Sequence, residues 1–163
     1  MARPLMEWTP ENIWKRFWAS TIVTDQGCWI YTKGPQRAGY PMTQWQGRTV
    51  KRQDAHRLSY RIFIGDIPDG LTIDHVCHNE DLDCPGGECI HRKCWRPSHL
   101  RCVPRGVNVL AGKTIAARNA AKTHCRWGHE FTPENTWRSP TRNGRWCRKC
   151  LAVRQGERKM RAP

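Results

Sequence analysis

Large aliphatic side chains are scarce in this chain: Leu, Ile, Val and Phe together number 26 of 163 residues. With a formal net charge of +14, so little apolar material would ordinarily leave a chain disordered. Acidic residues are also few, 14 Asp+Glu against 28 Lys+Arg. No apolar run approaches the ~18 residues of a membrane span. Met1 is followed by Ala-Arg-Pro and a Trp-rich, charged segment rather than the apolar core of a signal peptide. A membrane protein is therefore not expected, and neither is a secreted disulfide scaffold. What the chain holds instead is nine Trp, nine Cys and seven His. Trp buries a large area per residue, and bound metal replaces a missing core with folding energy. The expectation is a folded α+β protein that leans on zinc.

The length suits one ordinary domain, or one domain with a small appendage. Nine is an odd number of cysteines, and they are interleaved with His at short spacings, which fits a cytosolic metalloprotein better than an oxidised framework. The basic excess is spread along the sequence, and its densest part, Arg138 to Arg161, is not an amphipathic membrane helix. A polyanion, nucleic acid first, is the expected partner, with no membrane.

Thr9-Pro10-Glu11 predicts a helix start, with Trp14, Phe17 and Trp18 on one apolar face. Gly27–Tyr31 and Gly39–Trp45 read as short strands, and Gln46-Gly47-Arg48 as a turn into Thr49-Val50-Lys51. Asp54 caps a helix through Ile64, ended by Gly65. Leu71–Cys77 and Leu100–Val103 read as strands, Pro104 opens a helix carrying Asn108, and Ala111–Lys122 continues as a second basic helix after Gly112. From Cys125 the composition changes, giving one main domain over 1–122 and a small zinc module with a basic tail over 123–163. Thr-Pro-Glu-Asn recurs at 132–135 and is read as reuse of a helix or turn start.

If the two strands pair and the following helix packs across them, His75 faces the first turns of that helix, where Asn108 lies. Hydrolysis of a phosphodiester needs a base for water and a hard cation for phosphoryl charge. A neutral His supplies the first. An Asp carboxylate and an Asn carbonyl supply oxygen ligands suited to Mg²⁺ or Mn²⁺.

Asp74-His75, then Cys94-x-x-Pro97-x-His99-Leu100, then Asn108 resembles the HNH branch of the His-Me finger (ββα-metal) endonucleases, and the cysteine placement is similar to that of the His-Cys box homing enzymes. Upstream, Arg-Phe-Trp-Ala (16–19), Gly-Cys-Trp (27–29), Gly-Tyr (39–40) and His-Arg-Leu-Ser-Tyr (56–60) resemble the leader of phage-type HNH proteins. The resemblance implies a zinc-stapled ββα-metal nuclease domain and a C-terminal zinc finger. It also implies His75 as general base and Asp74 and Asn108 as ligands of the catalytic ion. Where the family usually reads Asn-Pro, this chain has Arg96-Pro97, so local hydrogen bonding must differ. The residue that contacts the scissile phosphate stays open, with Gln44, Arg48 and Arg57 near the corresponding strand.

For structural zinc, Cys77, Cys94 and His99 would pin the two strands, with Cys28 as fourth ligand. The alternative, Cys89-x4-Cys94-x4-His99, drops Cys77. The loop between offers His78, Cys84, Cys89 and His91 for a further zinc, or stays without metal. Cys102 is read as a small buried hydrophobe. Cys125, His129, Cys147 and Cys150 form a strong zinc set, with His124 as a competitor. Arg138, Arg142, Arg145, Arg148 and Lys149 would add phosphate contacts, while Trp127, Trp137 and Trp146 are read as the module's core.

The function expected is metal-dependent DNA endonuclease, nicking or cutting both strands, with cleavage rising through pH 6 to 7.5 around an ordinary His pKa. The alternatives are a non-catalytic zinc-dependent nucleic-acid-binding protein and a structural or regulatory subunit of a phage packaging assembly. Double-stranded DNA is the partner this implies; a homodimer and an association with packaging proteins both stay open, and for a phage-encoded chain the expected location is the host cytoplasm.

Overall fold

The computed structural model describes residues 9–45, 51–141 and 144–160. It is a mixed α+β chain of two compact units, Met1–Ala117 and Arg118–Pro163. Among the described residues no helix is long and apolar enough to cross a membrane.

In the first unit, α1 (Pro10–Trp18) begins where Thr9 Oγ1 accepts from the Asn12 N–H at 3.2 Å, with Pro at the first helical position. Its buried face is Ile13 and Phe17. Trp14 and Trp18 instead stack on each other at 5.3 Å and stay 36% and 44% exposed, so the predicted apolar face is rotated toward Ile13. The turn after α1 leads into β1 (Thr21–Val23), which pairs antiparallel with β2 (Trp29–Tyr31). Then β3 (Gln36–Arg37), β4 (Tyr40–Trp45) and β5 (Lys51–Asp54) form a three-stranded sheet. The turn from β3 to β4 needs positive φ at Ala38 and Gly39, and a side chain at Gly39 would press on Arg92 and Glu88. The expected turn at 46–48 and Thr49-Val50 lie outside the described residues.

Helix α2 (Ala55–Phe63) buries Ala55, His56, Leu58 and Ser59. It ends at Ile64, and the Gly65 N–H bonds back to the Tyr60 carbonyl at 3.0 Å. The core of the unit is Ile13, Phe17, Tyr31, Ala55, Leu58 and Trp95, with Trp29, Ile62 and Phe63 packed against it. Trp95 is fully buried, and its indole N–H donates to Thr21 Oγ1 at 2.9 Å. A few aromatics thus supply the area that the missing aliphatics would have.

Strand β6 (Leu71–His75) pairs antiparallel with β7 (Leu100–Pro104), in a register that sets Asp74 opposite Arg101 and His75 opposite Leu100. The strand is shorter than the sequence suggested: Val76–Glu80 is a helical turn, α3, so Cys77 sits on a helix and not on a strand. Helix α4 (Arg105–Ala111) packs on both strands. Gly112 closes it, its N–H reaching the Asn108 carbonyl at 3.1 Å. A new helix, α5 (Ile115–Ala121), starts where Thr114 Oγ1 accepts from the Ala117 N–H. The second basic helix expected after Gly112 is thus present, over the shorter span Ile115–Ala121.

In the second unit, β8 (Thr136–Arg138) pairs antiparallel with β9 (Arg145–Cys147), which runs into α6 (Arg148–Met160). Here Thr-Pro-Glu-Asn forms a turn and no helix. Asn135 is buried, donates to the Glu130 carbonyl, and through Oδ1 accepts from the Lys149 N–H at 3.1 Å. Trp137 and Trp146 pack at 5.0 Å. Trp127 does not join them: it is 62% exposed, with the Arg126 guanidinium over its ring at 4.8 Å.

Candidate metal centres and the adjoining cleft

All nine cysteines are free thiols, and eight of them fall into three clusters with His. Each cluster offers four ligand atoms lying within 4.8 Å of one another, and each could hold a zinc ion.

The first cluster is Cys28, Cys77, Cys94 and His99. Cys28 and Cys94 reach one another because the Trp95 N–H bonds to the Trp29 carbonyl at 2.9 Å and Ile30 bridges Cys94, docking the 90–95 segment on β2. The Gly27 carbonyl accepts from Arg96 Nη1 at 2.8 Å, so Arg96 ties this junction to the loop before β2. His99 Nδ1 is 3.5 Å from Cys28 Sγ and 3.7 Å from Cys94 Sγ. Tetrahedral zinc with Zn–S near 2.3 Å and Zn–N near 2.0 Å sets such pairs about 3.5 Å apart. The hydrogen bonds from Cys77 and Cys94 hold the Cys28 thiol far below its ordinary value, and Cys77 and Cys94 are pushed up by their contact with it. Three crowded sulfurs can ionise together only around a cation. Cys89 is not a member of this cluster.

The second cluster is His78, Cys84, Cys89 and His91. His78 Nδ1 lies 3.2 Å from Cys84 Sγ and 3.3 Å from Cys89 Sγ. The third, in the second unit, is Cys125, His129, Cys147 and Cys150, with His129 Nδ1 3.3 to 3.6 Å from the sulfurs and Cys125 Sγ 3.7 Å from Cys150 Sγ. His124 stands apart, its Nδ1 bonded to Thr123 Oγ1. Cys102, opposite Ile73 on β7, is half-buried and belongs to no cluster.

Asp74, His75 and Asn108 line one cleft of about 410 Å³ in the first unit, together with Tyr40, His78, Arg92, Arg105 and Lys113. Its floor is the end of β6 and its side the inner turns of α4. His75 is buried, and its Nε2–H donates to the Cys94 carbonyl at 3.1 Å, which leaves Nδ1 as the basic nitrogen. Burial pushes its pKa down to about 4, against smaller upward pulls from the Cys94 carbonyl and Asp74. Behind it sits His56, likewise buried and likewise held neutral by burial, with ring centroids 4.8 Å apart.

Asp74 is also buried, and its Oδ2 takes a two-pronged contact from Arg101, Nε and Nη2 each at 2.7 Å, as well as Asn79 Nδ2 at 2.8 Å. Such paired, charge-assisted bonds hold a carboxylate in place. Neither Arg101 nor Asn79 was singled out from sequence; the pairing of Arg101 with Asp74 follows only once the register of β6 and β7 is known. Arg92 donates to the Ala38 carbonyl and lies over the Tyr40 ring at 5.0 Å. Arg105 is exposed at the start of α4.

Of the basic residues expected to meet DNA, Arg138, Arg148 and Lys149 are exposed and Arg57 is half-buried on α2, while Arg48 and Arg142 lie outside the described residues. Arg145 directs its guanidinium to the carbonyls of Asn119, Ala120 and Lys122 at the end of α5, and it covers the Phe131 ring at 4.2 Å.

Comparison with known proteins gives one partial likeness to report. The chain is 33% identical over 67 residues to the protein named "Uncharacterized gene 5.3 protein" of Enterobacteria phage T3, a stretch covering 41% of this chain and 52% of that protein. The chain thus matches about half the length of that curated relative. No family model matches the chain, and no solved structure matches it. This chain has metal-type Cys/His clusters and is similar over part of its length to a phage protein.

Proposed function

We propose that this protein is a metal-dependent DNA endonuclease of the HNH, ββα-metal type. The observation that carries the reading is the convergence of Asp74, His75 and Asn108 in one cleft, on a strand–strand–helix unit pinned by Cys28, Cys77, Cys94 and His99. What favours catalysis over a simple grip on nucleic acid is a neutral imidazole lining this cleft whose basic nitrogen is fixed by a backbone carbonyl.

The Asp74 carboxylate, whose Oδ2 already carries the Arg101 and Asn79 contacts, and the Asn108 amide oxygen would hold a hard divalent cation such as Mg²⁺, which would neutralise phosphoryl charge and stabilise the departing oxygen. His75 takes the proton from water through Nδ1 while Nε2 stays on the Cys94 carbonyl. The water oxygen bonds to phosphorus, the bond to the 3′-oxygen breaks, and that oxygen leaves as a hydroxyl after gaining a proton from solvent. Arg92 and Arg105 bring positive charge to the same cleft, and exposed Arg138, Arg148 and Lys149 would add phosphate contacts of the second unit's own. Products of this route carry 5′-phosphate and 3′-hydroxyl ends, so a DNA ligase should reseal the nicks without prior kinase treatment. Nicks that resist ligase until both end groups are remodelled would contradict the mechanism.

The depressed His75 value changes the pH dependence expected from sequence. A base works when neutral, and with a pKa of about 4 His75 is already neutral throughout pH 6 to 8. Single-turnover cleavage should therefore show no His titration in that interval, and should fall only on acidification toward pH 4. A sigmoidal rise centred near 6.5 that vanishes with His75 would show a solvated, ordinary imidazole instead.

A further inference from the structure

The residues that follow the Asp74–His75 pair diverge toward two clusters: Cys77 joins the first and His78 the second. The first is built into the β2, β6 and β7 framework. The second is built on residues 81–91, a segment with exposed side chains and no strand or long helix of its own. Leu82 is 87% exposed, Ile90 is 52% exposed, and Gly86 and Gly87 both take positive φ. Its early part is tethered by Lys113, whose Nζ donates to the carbonyls of Asp81, Leu82 and Cys84 at 2.7, 2.6 and 2.7 Å and so satisfies all three of its donors. Its far end, Ile90–Lys93, packs against β2 and β4, leaving the Gly86–Gly87 stretch between the two anchors.

The donors of the second cluster fit a borderline-soft ion. Two sulfurs lie 3.2 and 3.3 Å from His78 Nδ1. His91 is 3% exposed, and neither of its ring nitrogens has a hydrogen-bond partner. Its Nε2 faces the Asp81 carboxylate at 3.5 Å, which leaves Nδ1 as the candidate ligand. A carboxylate behind the outer nitrogen of an imidazole is the usual support of a metal-bound His. Two thiolates and two imidazoles are a closed tetrahedral set of the zinc type.

The same segment forms a wall of the cleft: Gly86, Gly87 and Cys89 line it, with Arg92 one residue beyond His91. We propose that His78, Cys84, Cys89 and His91 bind a zinc-type ion of their own that latches this wall, placing Arg92 at the cleft, independently of the ion that holds the fold. Its effect on cleavage rests on the nuclease reading; the ion and the latch do not.

The test uses the full-length, zinc-loaded protein and its Cys84→Ser/Cys89→Ser variant. Wild type should hold three zinc ions per chain by elemental analysis and the variant two. After cobalt(II) substitution, the thiolate charge-transfer absorbance should fall by about a quarter, since two of eight cluster sulfurs are lost. Amide exchange should quicken about tenfold or more over 82–92 and stay slow at Ile30, Tyr31 and Trp95. His91→Gln, which keeps both thiolates, should lose the same single ion about tenfold more readily to a chelator. Two ions in wild type, or three in the serine variant, would overturn the site. Unchanged exchange over 82–92, or global unfolding of both variants, would overturn the latch. Loss of one ion with faster local exchange, in a protein that cleaves no DNA, would uphold the latch and reject the nuclease reading.

Discussion

His75→Ala is expected to slow single-turnover DNA cleavage by about 10² to 10⁴, the usual contribution of a positioned general base, while duplex affinity stays close to wild type. The two effects separate because affinity for DNA comes mainly from cations on phosphate, and the imidazole adds none when neutral. The Nε2 bond to the Cys94 carbonyl fixes which nitrogen is basic, so the role cannot pass to His56, which lies behind His75 and is absent from the cleft lining. Truncation of a buried ring also leaves a void and lowers the melting temperature. His75→Gln answers that: it fills most of the space and can still donate to the carbonyl, yet has no basic nitrogen, so it should melt nearer to wild type and be equally inactive. A glutamine variant that cleaves at the parent rate would remove His75 from the chemistry.

Cys94→Ser is expected to abolish the cooperative unfolding transition of the first unit at room temperature. Cys94 is fully buried and belongs to the cluster that ties β2 to the β6–β7 pair. A closed zinc site supplies about 10 to 16 kcal/mol to small zinc-dependent folds, comparable with or larger than the whole stability of an ordinary domain, about 5 to 15 kcal/mol. Asn108→Ala should behave in the opposite way. Its side chain lines the cleft from a half-buried position on α4, so the change should cost about 0.5 kcal/mol or less and lower the use of the divalent ion in cleavage. Thermal melts of the two variants, each with zinc content measured, decide the matter. Wild-type melting and zinc content in Cys94→Ser would exclude that thiol from a metal site.

The metal clusters were legible in the sequence because their spacings are local and their residue types rare. Cys125-x3-His129 with Cys147-x2-Cys150 can hardly be read otherwise, and the structure brings those four together. Choosing Cys77 over Cys89 for the first cluster turned on its place two residues after His75. The loop set was legible only as a list of donors, since nothing in the sequence says that His91 is buried with Asp81 beside it. What sequence could not supply was anything that depends on register or on the turn of a helix. Arg101 meets Asp74 only because β6 and β7 pair in one register out of several. Trp127 was expected inside and lies outside because the residues from Cys125 to Gly128 form a tight turn around the ligand sulfur, with the Trp127 N–H donating to Cys125 Sγ at 3.3 Å and its ring turned to solvent. Arg145 was counted among phosphate contacts, yet its guanidinium covers the end of α5, a role set by tertiary packing and invisible in charge counts.

The most direct test of the account is nicking of supercoiled plasmid by the zinc-loaded full-length protein as Mg²⁺ is titrated in. The titration is preferable to chelation, because a chelator strong enough to remove Mg²⁺ also attacks the Cys/His clusters. The account predicts no relaxation without Mg²⁺, a rate that rises and saturates as the ion is added, and loss of that rate in His75→Gln at unchanged zinc content. Folded, zinc-replete protein that binds the plasmid but leaves it supercoiled at every Mg²⁺ or Mn²⁺ concentration would contradict it, and would make this chain a zinc-dependent DNA-binding protein without catalysis.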